Sequence, residues 1–248
     1  MIAPVFYSKL LDMDTARIAT LLAPFLEQPL TPAQLERVAI YIELLQRWNA
    51  RINLTAIRKE EDIVTRHFGE SFFLARHVMS AHSSVSVEGN SSRPDRGEWF
   101  RAVDIGSGAG FPALPLKIWS PNIDLTLIES NQKKVTFLRE VCRTLGLENV
   151  EVVGKRVEVV AGDPSFARTN LVTLRAVERF ESILPHAESL LVEDGVLALL
   201  IGASQLPILA ARGSLRWGKP VAVPNSESRV LSIATFLRSG KTSHLSSQ

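Results

Sequence analysis

The sequence predicts an α/β fold, a mostly parallel Rossmann-like sheet behind an N-terminal helical extension, on three observations. An apolar run from Trp99 to Asp104 enters the turn Gly106-Ser107-Gly108-Ala109-Gly110, and a helix-forming run from Pro112 to Trp119 leaves it. A second apolar run, Leu125 to Ile128, ends in Glu129. Residues 1–80 carry helical rather than strand periodicity.

Hydrophobic residues make up 46% of the 248, enough for one sizeable core with room for an extension. No apolar run reaches membrane-spanning length, and the start lacks the basic-then-apolar pattern of a secretion signal. A cytoplasmic protein with no membrane partner is expected. Cys142 is the single cysteine, so no intramolecular disulfide framework forms, and packing is its expected role. The net charge of +2 neither demands nor excludes nucleic acid. His67, His77, His82, His186 and His244 show no metal-ligand spacing, and no metal is expected.

The extension reads as a series of helices. Asp14 to Phe25 carries Ile18, Leu21, Leu22 and Phe25 on one face. Thr31-Pro32-Ala33-Gln34 is a helix start with the elements of a capping box. Leu35, Val38, Ile42 and Leu45 continue its apolar face, and the helix is expected to fray near Trp48-Asn49-Ala50. Arg37, Arg47 and Arg51 alternate with Glu36 and Glu43, which reads as a solvated face. A further helix runs from about Glu61 to Ser80. Its His67 has two readings, a packing residue or a pocket residue. Residues 81–98 are rich in serine and read as a flexible linker, and 241–248 as a loose tail.

The domain over 99–240 holds the site. Strands are expected at Phe100 to Asp104, Leu125 to Glu129, Val150 to Val153, Leu171 to Leu174 and Val196 to Ile201. Helices are expected over Asn131 to Leu145 and Ser182 to Leu191, and a final hairpin at Pro220 to Val223 and Arg229 to Leu237. Alternate glycines let the turn approach a ligand, and such a turn suits an adenosine-containing cofactor. The pattern is G-x-G-x-G, with Phe111 where the dinucleotide fingerprint has its last glycine, so a nicotinamide enzyme is disfavoured. Glu129, at the end of the second strand, is placed to hold a ribose diol. Arg175, leaving the end of the fourth strand, is placed at the ligand crevice.

The stretch V-D-I-G-S-G-A-G-F-P-A-L-P-L-K-I resembles the first cofactor motif of the bacterial 16S ribosomal RNA guanine-N7 methyltransferases, the glucose-inhibited division protein B family. I-E-S-N-Q-K-K-V-T-F-L-R-E, Asn53-Leu54-Thr55 and Arg66-His67-Phe68 agree with it, and the resemblance covers about residues 35–200. It implies a class I S-adenosylmethionine-dependent methyltransferase with a Rossmann-like seven-stranded sheet. It implies cofactor contacts by Asp104, Gly106, Ser107, Gly108, Gly110, Phe111, Glu129, Ser130, Val157, Glu158 and Arg175. It implies RNA contacts by Asn53, Arg66, His67 and Arg175, with 16S ribosomal RNA or the small subunit as partner of a monomer. No catalytic acid or base is assigned, because guanine N7 carries a free lone pair and no proton.

The sequence departs from the family pattern at four places. Glu70-Ser71 stands for Asp-Ser, Asn170 for an acidic residue, Ile201 for a lysine, and Val230 for a histidine. A methyltransferase of the same fold with another substrate, and a non-catalytic cofactor- or RNA-binding paralogue, are the alternatives.

Overall fold

The computed structural model of the chain describes residues 14–85, 100–175, 180–209 and 214–237. Helix α1, Thr15–Leu22, is capped by the Asp14 carboxylate, which accepts from the Arg17 amide, and a 3₁₀ turn over Ala23–Phe25 follows. Helix α2, Pro32–Ile52, opens with the expected box. The Gln34 amide donates to the Thr31 hydroxyl at 3.3 Å, and the Thr31 amide donates to the Gln34 side chain at 2.9 Å.

The helix does not fray at Trp48-Asn49-Ala50. Asn49 is buried, and its amide group brackets Thr55 with two bonds of 3.0 Å, which anchors the last turn. The helix stops at Asn53, in the left-handed region at φ 47°. Glu43, read as solvated, is instead buried, and desolvation raises its carboxyl pKa, with Arg47 pulling the other way.

The next rod has three pieces: α3 at Glu60–Asp62, a π-helical segment at Ile63–Gly69, and α4 at Glu70–Val85. It therefore continues past Ser80, and the remainder of the serine-rich linker lies outside the described residues, as does the tail.

The sheet holds β1 (Arg101–Ile105), β2 (Asp124–Ile128), β3 (Val150–Val153), β4 (Thr169–Arg175), β5 (Leu191–Gly202), β6 (Leu215–Trp217), β7 (Val221–Ala222) and β8 (Arg229–Phe236). Helices α5 (Ala113–Trp119), α6 (Gln132–Thr144), α7 (Val157–Ala161), α8 (Phe180–Ser189) and α9 (Leu206–Leu209) connect them. The order is β3-β2-β1-β4-β5-β8-β6, with β7 also on β8. β1 to β5 are parallel; β8 runs antiparallel to β5. The seventh position of the sheet is thus shared by two short strands. Gly218-Lys219-Pro220 separates them, and a proline cannot donate to the ladder. The sequence gives no warning of β6, which is only three residues long.

Helix α8 ends at Ser189 rather than Leu191, because β4 captures the next residues: the Thr169 amide donates to Leu190 O at 2.8 Å, and Thr169 pairs with Leu191. Between Thr169 and Leu171 the register shifts, and Asp194, at φ 61°, lies in the extra loop of β5.

One hydrophobic core runs through the extension and the sheet domain. Tyr41, Phe68 and Phe72 from the helices meet Phe111, Leu114 and Phe137 from the domain. Tyr41 stacks on Phe111 with centroids 5.3 Å apart and planes at 7°, while Phe68 meets Phe111 edge-on at 5.1 Å. Each such ring contributes roughly 1.5–3 kcal/mol by burial. The extension is therefore fixed against the residue that ends the glycine turn.

Candidate active site

The site begins where β1 runs out. Among the three turn glycines, Gly108 (φ 57°) and Gly110 (φ 86°) are needed for different reasons. A Cβ on Gly108 would meet nothing nearer than Gly106 O at 3.7 Å, so this position keeps the open side of the turn clear. A Cβ on Gly110 would collide with the Tyr41 hydroxyl and Leu114. The Tyr41 hydroxyl donates to Ala109 O, so the extension touches the turn itself.

Glu129 closes the other side. One carboxylate oxygen accepts from the Gly108 amide and the other from the Asn131 amide, both at 2.8 Å. A carboxylate has about four lone-pair sites, so one remains on each oxygen, the arrangement that takes a vicinal diol. Asp104 lies beneath the turn, 1% exposed. One oxygen accepts from the Thr173 hydroxyl at 2.6 Å; the other is buried with no partner. Desolvation raises its pKa to about 7, against the hydrogen bond from Thr173 and with a push from Glu129.

A cleft of about 370 Å³ opens at these strand ends, a size suited to a nucleoside. Of the residues expected to touch the cofactor, Gly106, Glu129, Ser130, Val157 and Glu158 line it. Ile105, Ile128, Lys155, Arg156, Ser182 and Ile183 complete the wall. Ile105 and Ile128 lie inside the two motifs quoted above and Arg156 directly precedes Val157, but none of the six is among the expected contacts, and nothing local points to Ser182 or Ile183. Ser107 is turned into its own loop, where its hydroxyl donates to Asp104 O at 3.1 Å. The ring of Phe111 is covered on both faces, by Tyr41 and by His67, the latter 4.6 Å away at 13°.

Arg175 is the hub of a second group. Its guanidinium donates to Glu70 and to His67 Nδ1, each at 3.0 Å, and to Arg66 O. Arg229 donates to the same Glu70 oxygen at 3.1 Å. The guanidinium that the sequence aims at the crevice is therefore engaged by the extension, while its Nε is buried with no partner. Desolvation lowers the Arg175 pKa to about 10, Glu70 opposing. Arg66 contributes its carbonyl, and its side chain is exposed. Asn53 stands apart, exposed, accepting from Arg58 at 3.2 Å.

His67 belongs to both readings at once, buried and against the site. Arginine only donates, so Nδ1 accepts, and Nε2–H donates to the Thr55 hydroxyl at 2.8 Å. Burial, then Arg175, Arg66 and Arg229, lower its pKa to about 3. The folded value lies below the ordinary 6.5, so between pH 6.5 and about 3 the unfolded chain takes up a proton that the folded chain refuses. Stability from this group is complete above pH 6.5 and is lost as pH falls toward 3. Imidazole ¹⁵N shifts are expected to show a neutral Nε2–H tautomer at pH 7 and at pH 5; an imidazole titrating near 6.5 in the folded protein would contradict this.

The fold and the site define a class I S-adenosylmethionine-dependent methyltransferase: a glycine turn, a carboxylate at the end of β2, and parallel strands with a reversed β8. The solved ribosomal protein L11 methylase of Lactobacillus delbrueckii subsp. bulgaricus shares the fold, with a TM-score of 0.50 at 15% identity over 68% of this chain and 79% of that one. The chain belongs to the GidB family, rRNA small subunit methyltransferase G, whose model matches residues 34–213. Relatives named ribosomal RNA small subunit methyltransferase G are 35% identical in Roseiflexus castenholzii, over 88% of each chain, and 33% identical in Chromobacterium violaceum, over 79% of this chain and 85% of that one.

Proposed function

We propose that this chain transfers the methyl of S-adenosylmethionine to N7 of a guanine in 16S ribosomal RNA, as a cytoplasmic monomer. The observation that carries the reading is the span of the family match, which takes in the cofactor cleft and most of the extension bonded to it. The residues fit the cofactor: Glu129 has one free lone pair per oxygen for the ribose hydroxyls, and Val157 and Glu158 line the same cleft, available to the adenine.

Bound S-adenosylmethionine supplies a methyl already activated by its sulfonium. The protein then has to place an acceptor whose lone pair needs no deprotonation, so positioning supplies most of the rate. His67 suits this, held neutral with both ring nitrogens occupied. It orients its neighbours and is not available as a base. Arg175, with its unpaired Nε, is the residue we assign to the cofactor carboxylate or the acceptor. No described helix is long and apolar enough to cross a membrane.

A second reading, another acceptor on the same fold, draws on Ile201 and Val230. They are direct partners across β5 and β8, so the two departures form one apolar cross-strand pair beside Gly202 and Arg229. Labelled methyl transfer to small subunits lacking native methylation separates the readings. Label on one guanine N7 is the expected result. Cofactor binding without label on ribosomal RNA would sink the first reading in favour of the second.

A further inference from the structure

We propose that Glu70 is a positioning residue for methyl transfer, holding Arg175 and Arg229 together on the acceptor side of the cleft; this rests on the reading given above. Four observations carry it. Both guanidiniums meet one carboxylate oxygen, at 3.0 and 3.1 Å, although they come from strand ends 54 residues apart in sequence, 229 less 175. Arg175 ends β4 and Arg229 begins β8 beside Gly202, so both lie at the carboxyl ends of the parallel strands. That edge flanks the switch point between β1 and β4, where ligands bind in such sheets.

The third observation is charge. A clasp needs one cation for one carboxylate; among the described residues two share this one, an excess of one positive charge within the cluster. The fourth is an unmet bond. Arg175, with its side chain 7% exposed, keeps a buried Nε without an acceptor, and the Arg229 side chain remains 23% exposed. A group carrying an anionic oxygen, as a nucleotide does, fits both features. Glu70 itself, 3% exposed, touches no acceptor and acts through the two arginines. The π-helical segment just before it sets its direction, since an i+5 turn rotates the following residues relative to an α-helix.

The test uses the full chain, undermethylated small subunits, and the variants Glu70→Gln, Arg229→Met and their double. Glu70→Gln is expected to lower kcat on ribosomal RNA by about tenfold or more, the scale of a misplaced reacting group. S-adenosylmethionine affinity should change less than about threefold, and the Arg229→Met background should absorb most of the effect, the signature of coupled residues. Equal losses in cofactor affinity and kcat, or effects that simply add, would overturn the proposal. Should Glu70→Gln not fold, Arg229→Met alone decides: reduced kcat at unchanged cofactor affinity supports it, and unchanged kcat overturns it. Wild-type protein that labels no ribosomal RNA overturns the functional reading and this one together. Wild-type labelling with an unaffected Glu70→Gln variant removes only the role of Glu70.

Discussion

Glu129→Ala is expected to raise the dissociation constant for S-adenosylmethionine by at least about 100-fold. Hydrogen bonds to a charged group are worth roughly 1.5–3 kcal/mol each. Two ribose hydroxyls on two oxygens give about 3–6 kcal/mol, and each 1.4 kcal/mol is tenfold. The substitution also removes the acceptor of the Gly108 and Asn131 amides, so the turn loses its brace at the point where it faces the ligand. Glu129→Gln should not rescue binding. Its amide would place a donor against one of those two backbone donors, and the side chain would rotate or the turn would shift. Calorimetric titration of both variants measures this. A constant within about threefold of wild type would mean that the cleft at the end of β2 is not where the ribose sits. Glu158→Ala, on an exposed helix start in the same cleft, should cost much less, since its carboxylate has no buried geometry to lose.

The legible parts of this chain are those in which a short stretch dictates its own structure. The capping box at Thr31, the glycine turn and the carboxylate after β2 each lie within a few residues, and each takes the local structure expected of it. Periodicity also told which face of α2 is buried, since Val38, Ile42 and Leu45 all are. It did not tell against what. The Tyr41 hydroxyl reaches Ala109, 68 residues on, and Arg175 reaches Glu70 across 105. Hydrophobic spacing specifies a side that must leave water, not the partner that covers it.

Glu43 and Arg175 show the same gap from the polar side. A charged residue in an alternating run reads as solvated because most are. Glu43 is buried by neighbours that no local pattern announces. Arg175 reads as a strand-end residue, and it ends β4, but only the fold reveals that the extension engages its guanidinium. The π segment was hidden for another reason. Between α and π turns the hydrogen-bond partner moves by one residue, and Ile63, Val64, Phe68 and Phe72 remain a plausible α-helical face in either case. The apolar pair Ile201–Val230 is a similar case. Read along the chain it is two unrelated departures, and only the β5–β8 register joins them.

The sharpest separation of binding from folding should come from alanine at the two turn glycines. Gly110→Ala is expected to destabilise the protein by about 2–5 kcal/mol. A left-handed residue with a side chain costs roughly 1–2 kcal/mol, and forcing atoms into a filled space about 1–3 more. The obstacle is not a flexible surface group. It is the Tyr41 hydroxyl, held by Ala109 O, and Leu114 at the start of α5, both in the core that joins extension to sheet. Relief would require Tyr41 to move, and with it the stack on Phe111 and His67. Gly108→Ala meets no such wall, so only the backbone cost applies and the fold should survive with a loss of about 1–2 kcal/mol. Its new methyl instead stands on the open side of the turn, the side on which the proposed function has the cofactor approach. Chemical denaturation and cofactor titration of the same two variants therefore give opposite rankings: Gly110→Ala worse in stability, Gly108→Ala losing affinity while still folded. If Gly108→Ala bound S-adenosylmethionine as wild type does, the close approach of the ligand to this turn would be disproved. If Gly110→Ala were as stable as wild type, the contact of Tyr41 with the turn would not be what couples the extension to the site.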